Sequence, residues 1–350
     1  NRDLVSLNMI RDLAIEGDAV SLRVVLTTPA CPMKDKIRND VETALAKIGV
    51  HGPQITMDAE VRKPVGPAQA QPDARLPGVG AVIAVASGKG GVGKSTVATN
   101  LALSLSKAGA TVGLLDADIY GPSMPVMFGL KGAEPEVVNE GGKASILPLK
   151  RHGVAIMSMG FMLEDDQAVV WRGPMLGKAL QQFIEDVNWG PLDYLIIDMP
   201  PGTGDVALSL AQLVPVSGAV VVTTPQDVAF ADVRRAIRMF TMTKTPILGL
   251  IENMSHFVCD GCDKKHHIFR QGGGKTLADN FEIPLLGEVP IIEAVAEGGD
   301  SGIPIVMSNP ESPASKAYKD LAGKVAAQLS INQANSGEKV SASFELDWKS

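Results

Sequence analysis

At 350 residues, with 45% hydrophobic side chains and 36 glycines, the chain is long enough for one large α/β domain and a smaller companion. A net charge of −7 and an aromatic content of 4% argue against an overall basic face for nucleic acid or anionic lipid and against a base-stacking surface, and no apolar run approaches the ~18–20 residues needed to span a membrane. Three unevenly spaced cysteines do not make a disulfide framework and predict a reducing compartment, the cytoplasm; the opening Asn1-Arg2-Asp3-Leu4 reads as neither signal nor transit peptide, although a start on Asn1 rather than methionine leaves an organellar address open.

In chain order, residues 1–61 read as a small α/β unit. Ala19 to Leu26 mixes apolar and polar positions as a strand does, Met33 to Ile48 has helical spacing through Ile37, Val41, Leu45 and Ile48, and Ile55 to Val61 closes as a strand. Between the first strand and the helix lies the turn Thr28-Pro29-Ala30-Cys31-Pro32. Cys31 is a candidate transient metal or thiol site, against the plainer reading of a small packed residue. Residues 62–78 are rich in proline, alanine and polar groups with no period, a flexible linker that predicts relative movement of the units it joins.

From residue 79 to 330 apolar strands alternate with helices, which predicts a mostly parallel sheet covered by helices on both faces. The apolar run Ala81 to Ala86 leads into Gly88-Lys89-Gly90-Gly91-Val92-Gly93-Lys94-Ser95-Thr96 and then a helix to Lys107. Strand, glycine-rich loop and helix are the setting of a phosphate-binding loop: backbone N–H groups curl around a triphosphate, Lys94 neutralises its β- and γ-phosphates, and the Ser95 hydroxyl holds Mg²⁺. With Lys89 inside it, the loop resembles the deviant Walker A signature of the MinD/ParA/nitrogenase iron-protein superfamily. That resemblance implies a P-loop NTPase in which Lys89 reaches the nucleotide of a dimer partner.

The strand Thr111–Asp116 ends in Asp116-Ala117-Asp118-Ile119-Tyr120-Gly121-Pro122-Ser123, where two carboxylates can project toward metal and water. By its match to the superfamily's switch I, Asp118 orients or deprotonates the attacking water and Asp116 supports the metal shell. Tyr194 to Asp198 is a further strand, running into Met199-Pro200-Pro201-Gly202-Thr203-Gly204-Asp205. It resembles a Walker B strand entering switch II, with Asp198 toward Mg²⁺. Helices are expected near Val206–Leu213 and over Ala229–Thr241, and strands over Gly218–Thr223 and Pro246–Ile251. Asn253, placed by this reading at a strand end, has an amide that can donate and accept, and in the superfamily an asparagine here reads the adenine edge. Pro225-Gln226-Asp227 also follows a strand, toward the nucleotide pocket.

Cys259-Asp260-Gly261-Cys262 can grip a soft metal centre but supplies only two thiolates. A dimer can double them, His266 or His267 can complete a zinc site, or the pair can act as a redox dithiol. The pair is followed by Ile268-Phe269-Arg270-Gln271-Gly272-Gly273-Gly274, and with Asp198 to Asp205 and Trp171-Arg172-Gly173-Pro174 this resembles the Mrp/ApbC family. The small domain and its T-P-x-C-P turn resemble the iron–sulfur assembly module that precedes the ATPase in that family. The resemblance spans residues 4–330. One departure is Asp260, where proline is common.

The resemblance implies a slow ATPase that binds ATP and Mg²⁺, forms a homodimer, holds a [4Fe–4S] cluster between two Cys259/Cys262 pairs and transfers it to apo iron–sulfur proteins. A MinD/ParA-like positioning ATPase with a structural zinc site is the alternative, though it calls for a membrane-binding or basic DNA face that residues 331–350 do not offer. Met157, Met159 and Met162 are expected to pack, and Ser315 to Leu329 to form a helix with Tyr318, Leu321, Val325 and Leu329 inward. Residues 331–350 read as a polar, poorly periodic and flexible tail, against docking by the alternation of Phe344, Leu346 and Trp348.

Overall fold

A computed structural model describes residues 3–17, 19–61, 76–140, 143–162, 180–226, 229–259, 261–262 and 264–342. Most of the linker (62–75), Trp171-Arg172-Gly173-Pro174, Asp227, Asp260, Phe344, Leu346 and Trp348 lie outside those residues.

The first unit is a three-stranded sheet with one helix. Strands β1 (Ile10–Glu16) and β2 (Ala19–Leu26) pair antiparallel, helix α1 (Lys34–Ala46) crosses over, and β3 (Gln54–Ala59) returns parallel to β2 in the order β1-β2-β3. Alternation along β2 decides which face is covered: Val20, Leu22, Val24 and Leu26 turn inward with Val41 of α1.

The larger unit follows as β4 (Val79–Ser87), α2 (Lys94–Lys107), β5 (Val112–Asp116), α3 (Met124–Met127), β6 (Val137–Glu140), β7 (Lys143–Ile146), β8 (Leu149–Arg151), β9 (Val154–Ser158) and β10 (Leu192–Asp198). It continues with α4 (Asp205–Leu213), β11 (Gly218–Thr223), α5 (Ala229–Met242), β12 (Ile247–Val258), β13 (Lys265–His266), α6 (Gly273–Phe281), β14 (Leu285–Ile291), α7 (Glu293–Asp300), α8 (Ile305–Ser308) and α9 (Pro313–Ala342). A nine-stranded sheet has the order β13-β12-β11-β4-β10-β5-β9-β8, with β14 also on β12. Strands β14, β12, β11, β4, β10, β5 and β9 run parallel, and the short edges β8 and β13 are antiparallel.

Every residue of β5, β9 and β11 is buried, so both faces of the sheet are covered, as near-continuous apolar strands require. Helix α2 lies over β4, β5 and β10, α9 packs on α2 and β14, α5 on β11 and β4, and α6 on β12. This is the doubly covered α/β P-loop architecture. Its register places the site: Asp198 pairs with Asp116 on one side and Val85 on the other, so two strand-end carboxylates stand beside the loop that leaves β4.

Three elements differ from expectation. β12 runs on to Val258, so Asn253 lies inside a strand and not at its end; a left-handed Met254 (φ +57°) and a register shift against β14 let the chain bend there and continue. Helix α9 extends from Pro313 to Ala342, past the expected end and into the polar tail. The segment Val137–Arg151 forms the β6–β7 hairpin and the edge strand β8, pieces too short and polar to stand out by period. Among the described residues, no helix is long and apolar enough to cross a membrane.

The two units touch. The Tyr194 hydroxyl donates to Thr28 Oγ1 at 2.7 Å, Ala30 sits in the larger core, and Gly323 of α9 leaves room for Pro32. The expected free movement of the small unit therefore meets a seated turn in this structure. Cys31 is half-buried and packs with the small unit's apolar cluster. Burial pushes the Tyr194 hydroxyl up to about 12, so it stays a donor at neutral pH. Tyr194→Phe is expected to lower stability by about 0.5–1.5 kcal/mol, the net worth of one such hydrogen bond, measured by urea denaturation; an unchanged midpoint would mean that the turn is not seated there.

Candidate functional site

The loop after β4 depends on two glycines in particular. Gly93 has φ +80°, and a Cβ built on it would collide with the Asn253 amide. A Cβ on Gly88 would collide with the backbone of Asp232 on α5. Gly93→Ala is expected to cost about 1–3 kcal/mol through a left-handed backbone and a displaced Asn253, read by chemical denaturation; a cost near zero would contradict this packing. The loop borders an open cleft of about 610 Å³, lined by Lys89, Gly91, Lys94, Ser95, Thr96 and Asp118 among others.

At the base of the cleft, Lys94 Nζ donates to Asp198 Oδ1 at 2.6 Å and Ser95 Oγ donates to Asp198 Oδ2 at 2.5 Å. Asp198 has no solvent exposure and Lys94 only 6%. Burial drives the Asp198 carboxyl upward, while the Lys94 ammonium and the Ser95 hydroxyl pull it back. The sequence places Lys94, Ser95 and Asp198 in three separate motifs, and the fold brings them into direct contact.

Asp116 is the hub of the next loop. Its Oδ1 accepts from Asp118 N at 3.1 Å; its Oδ2 accepts from Ser123 N at 3.0 Å, Met124 N at 3.1 Å and Ser158 Oγ at 2.9 Å. Three of these four donors meet Oδ2 and one meets Oδ1. Asp116 thereby holds the loop on which Asp118 sits. Burial and the Asp198 charge push Asp116 up to about 7. Asp118 is 9% exposed, and its Oδ1 has no hydrogen-bond partner. Ser158, the anchor on β9, was not singled out from sequence; its only signal is its place at the end of an apolar run.

Asn253 is set against the loop. Its Nδ2 donates to Val92 O at 2.9 Å, and the residue is 6% exposed. That bond braces the loop with one of the two Nδ2 hydrogens. The neighbouring Glu252, 2% exposed, accepts from the backbone N–H of Gly274 in the first turn of α6. Burial raises its carboxyl and that N–H lowers it. Sequence reading missed Glu252, a charged residue inside an apolar strand. Pro225 packs against Gly273 at the same helix start. Strand β12 thus touches the loop through Asn253, holds the Gly272-Gly273-Gly274 string through Glu252, and ends one residue before Cys259.

Cys259 is half-buried and Cys262 exposed, both as thiols, in a tight turn closed by Cys259 N to Lys264 O at 3.0 Å. Ile268 and Phe269 beside them are 58% and 45% exposed. Among the described residues no three His, Cys, Asp or Glu side chains are grouped to hold a metal ion. His267, a possible zinc ligand by sequence, meets Ser255 O through Nδ1 at 3.3 Å and lies 5.9 Å from the His256 ring. Met157 and Met159 are buried as expected, whereas Met162 is 54% exposed.

The profile of the NUBPL iron-transfer P-loop NTPases matches residues 78–326, and that of iron–sulfur cluster assembly proteins matches residues 1–52. The chain is 48% identical to an iron-sulfur cluster carrier protein of Synechocystis sp. over 94% of its own length and 93% of the relative's. It is 50% identical to one from Deinococcus radiodurans over 95% and 91%. Among solved structures, a nucleotide-binding protein of Archaeoglobus fulgidus in complex with ADP superposes with a TM-score of 0.60 at 39% identity, covering 69% of this chain and 93% of that one. The Pyrococcus furiosus cell division ATPase MinD gives 0.52 at 25% identity, covering 70% and 98%.

Proposed function

The chain belongs to the NUBPL iron-transfer P-loop NTPase family, and from that premise we propose an ATP-binding, slowly hydrolysing homodimer that carries a [4Fe–4S] cluster and hands it to apo-proteins. The observation that carries this reading is the path of β12. One strand braces the phosphate loop at Val92 and ends at a pair of thiols, one half-buried and one exposed. Each chain contributes two thiolates, and a [4Fe–4S] cargo takes four, so two subunits sharing one cluster satisfy it.

Asp198 and Ser95 present hard oxygen donors at the base of the cleft, a set suited to Mg²⁺ beside a nucleotide phosphate. Bound there, Mg²⁺ would neutralise charge on the β- and γ-oxygens. Lys94 would turn from Asp198 to the phosphates, and the loop N–H groups would cradle them. Asp118 Oδ1 would accept a proton from the attacking water, and Lys89 would cross to the partner's nucleotide. Breaking the Lys94–Asp198 pair changes what presses on the loop, and Asn253 passes that change to β12.

Nucleotide can alter cluster retention only by favouring a state in which the cluster binds with a different affinity. Cluster transfer to an apo-ferredoxin should therefore proceed at different rates from the ATP-loaded and ADP-loaded carrier; equal rates would remove the coupling. Residues 1–61 would serve as an assembly module tethered by 62–78, with 331–350 as the tail, and the reducing cytoplasm would suit the exposed thiols.

A further inference from the structure

Ser123 stands where a helix-capping serine belongs, immediately before α3, yet its hydroxyl caps nothing. An N-cap serine ordinarily accepts from the N–H groups two or three residues on. Here Pro125 removes one of those donors, and Asp116 Oδ2 takes the N–H groups of both Ser123 and Met124. The aspartate, not the serine hydroxyl, holds the first N–H of the helix, that of Met124. Ser123 Oγ is left shielded from solvent with no hydrogen-bond partner, on a residue that lines the phosphate-loop cleft. A buried hydroxyl without a partner costs about 1–3 kcal/mol, which points to a partner brought by the ligand.

Asp118 Oδ1 has the same status on the same cleft, and its residue is nine-tenths buried. The two orphans share one support. The Asp118 N–H hangs on Asp116 Oδ1 and the Ser123 N–H on Oδ2, while Ser158 fixes that carboxylate to β9. A carboxylate oxygen and a hydroxyl together suit a water molecule, which can donate one hydrogen to each and keep a lone pair free. The phosphates themselves have the loop N–H groups, Lys94 and Lys89.

We propose that Ser123 Oγ holds the attacking water of ATP hydrolysis together with Asp118 Oδ1; this rests on the hydrolase reading above. The water oxygen forms a bond to phosphorus as the bond from phosphorus to the bridging oxygen breaks and ADP leaves. One water proton passes to Asp118, and the other stays on the phosphate formed, hydrogen-bonded to Ser123 Oγ until release.

The test compares wild type, Ser123→Ala and Ser123→Thr in steady-state ATP hydrolysis, in urea denaturation, and in affinity for Mg·ADP with and without aluminium fluoride. Ser123→Ala should lower kcat by roughly 10- to 100-fold with KM for ATP within about twofold, a loss confined to the transition state. It should weaken the aluminium fluoride complex by a similar factor, leave Mg·ADP affinity unchanged, and not lower stability. Ser123→Thr keeps the hydroxyl and should recover most of kcat. A wild-type kcat in Ser123→Ala, equal loss in both variants, or a parallel loss of Mg·ADP affinity or stability would overturn this role alone. A wild type that binds ATP without hydrolysing it would overturn this role and the hydrolase reading together.

Discussion

Lys94→Ala is expected to lower ATP turnover by at least roughly 10²–10³-fold, the loss that follows removal of one donor from developing negative charge. The same change should also weaken the unliganded fold, for a separate reason. Lys94 Nζ lies 2.6 Å from a carboxylate with no solvent exposure. Removing one partner of such a pair costs about 3–5 kcal/mol. The pH dependence has a definite sign. Burial already raises the Asp198 carboxyl, and Lys94 is the largest influence holding it down. Without Lys94 the folded-state carboxyl binds its proton still more tightly than the unfolded chain does. The variant should therefore be least stable at high pH and regain stability as pH falls through the raised folded-state value. Adding Asp198→Asn should restore the fold but not turnover. Steady-state hydrolysis and urea denaturation across pH read the two effects apart. Unchanged hydrolysis in a folded Lys94→Ala protein would refute the phosphate-loop assignment.

Cys259→Ala and Cys262→Ala are each expected to abolish stable cluster binding after anaerobic reconstitution with iron and sulfide. Each substitution removes two of the four thiolates in a symmetric dimer, because it is repeated in both subunits, and a [4Fe–4S] cluster is held by four. Iron and sulfide content, with the visible absorbance of the cluster, report the loss. The fold should be little affected at Cys262: it is exposed, and surface substitutions of this kind fall within about ±0.5 kcal/mol. Full cluster content in both variants would show that the cargo is held elsewhere.

The large unit and its phosphate loop were legible because their signals are local. Val82 to Ala86 is a continuous apolar run, the glycines follow at once, and the helix begins at Lys94. Asp116 and Asp198 were legible as strand-end carboxylates for the same reason. Their different tasks were not, since these depend on chain-distant partners: Ser158 occupies Asp116, and Lys94 and Ser95 face Asp198. Asn253 shows the same limit. Its residue type fits a base edge and a loop carbonyl equally well, and its contact with the carbonyl of Val92 depends on the bend at Met254 and the close approach of Gly93, which leave no local trace.

Short elements were also hidden. β8 has three residues and β13 two, below any useful period. The seating of Thr28 against Tyr194 joins residues 166 apart in sequence and leaves no local trace. Ser123 was read only as the last residue of a loop motif. Its displaced hydroxyl becomes visible when every polar atom on the cleft is matched to a partner.

The function proposed for this chain requires two subunits to share one cluster. Native mass spectrometry of the anaerobically reconstituted protein, with and without Mg·ATP, tests this most directly. The expected species is two chains bearing one [4Fe–4S] cluster, with its abundance changed by nucleotide. A single chain retaining its own complete metal centre, unaltered by ATP, would contradict it.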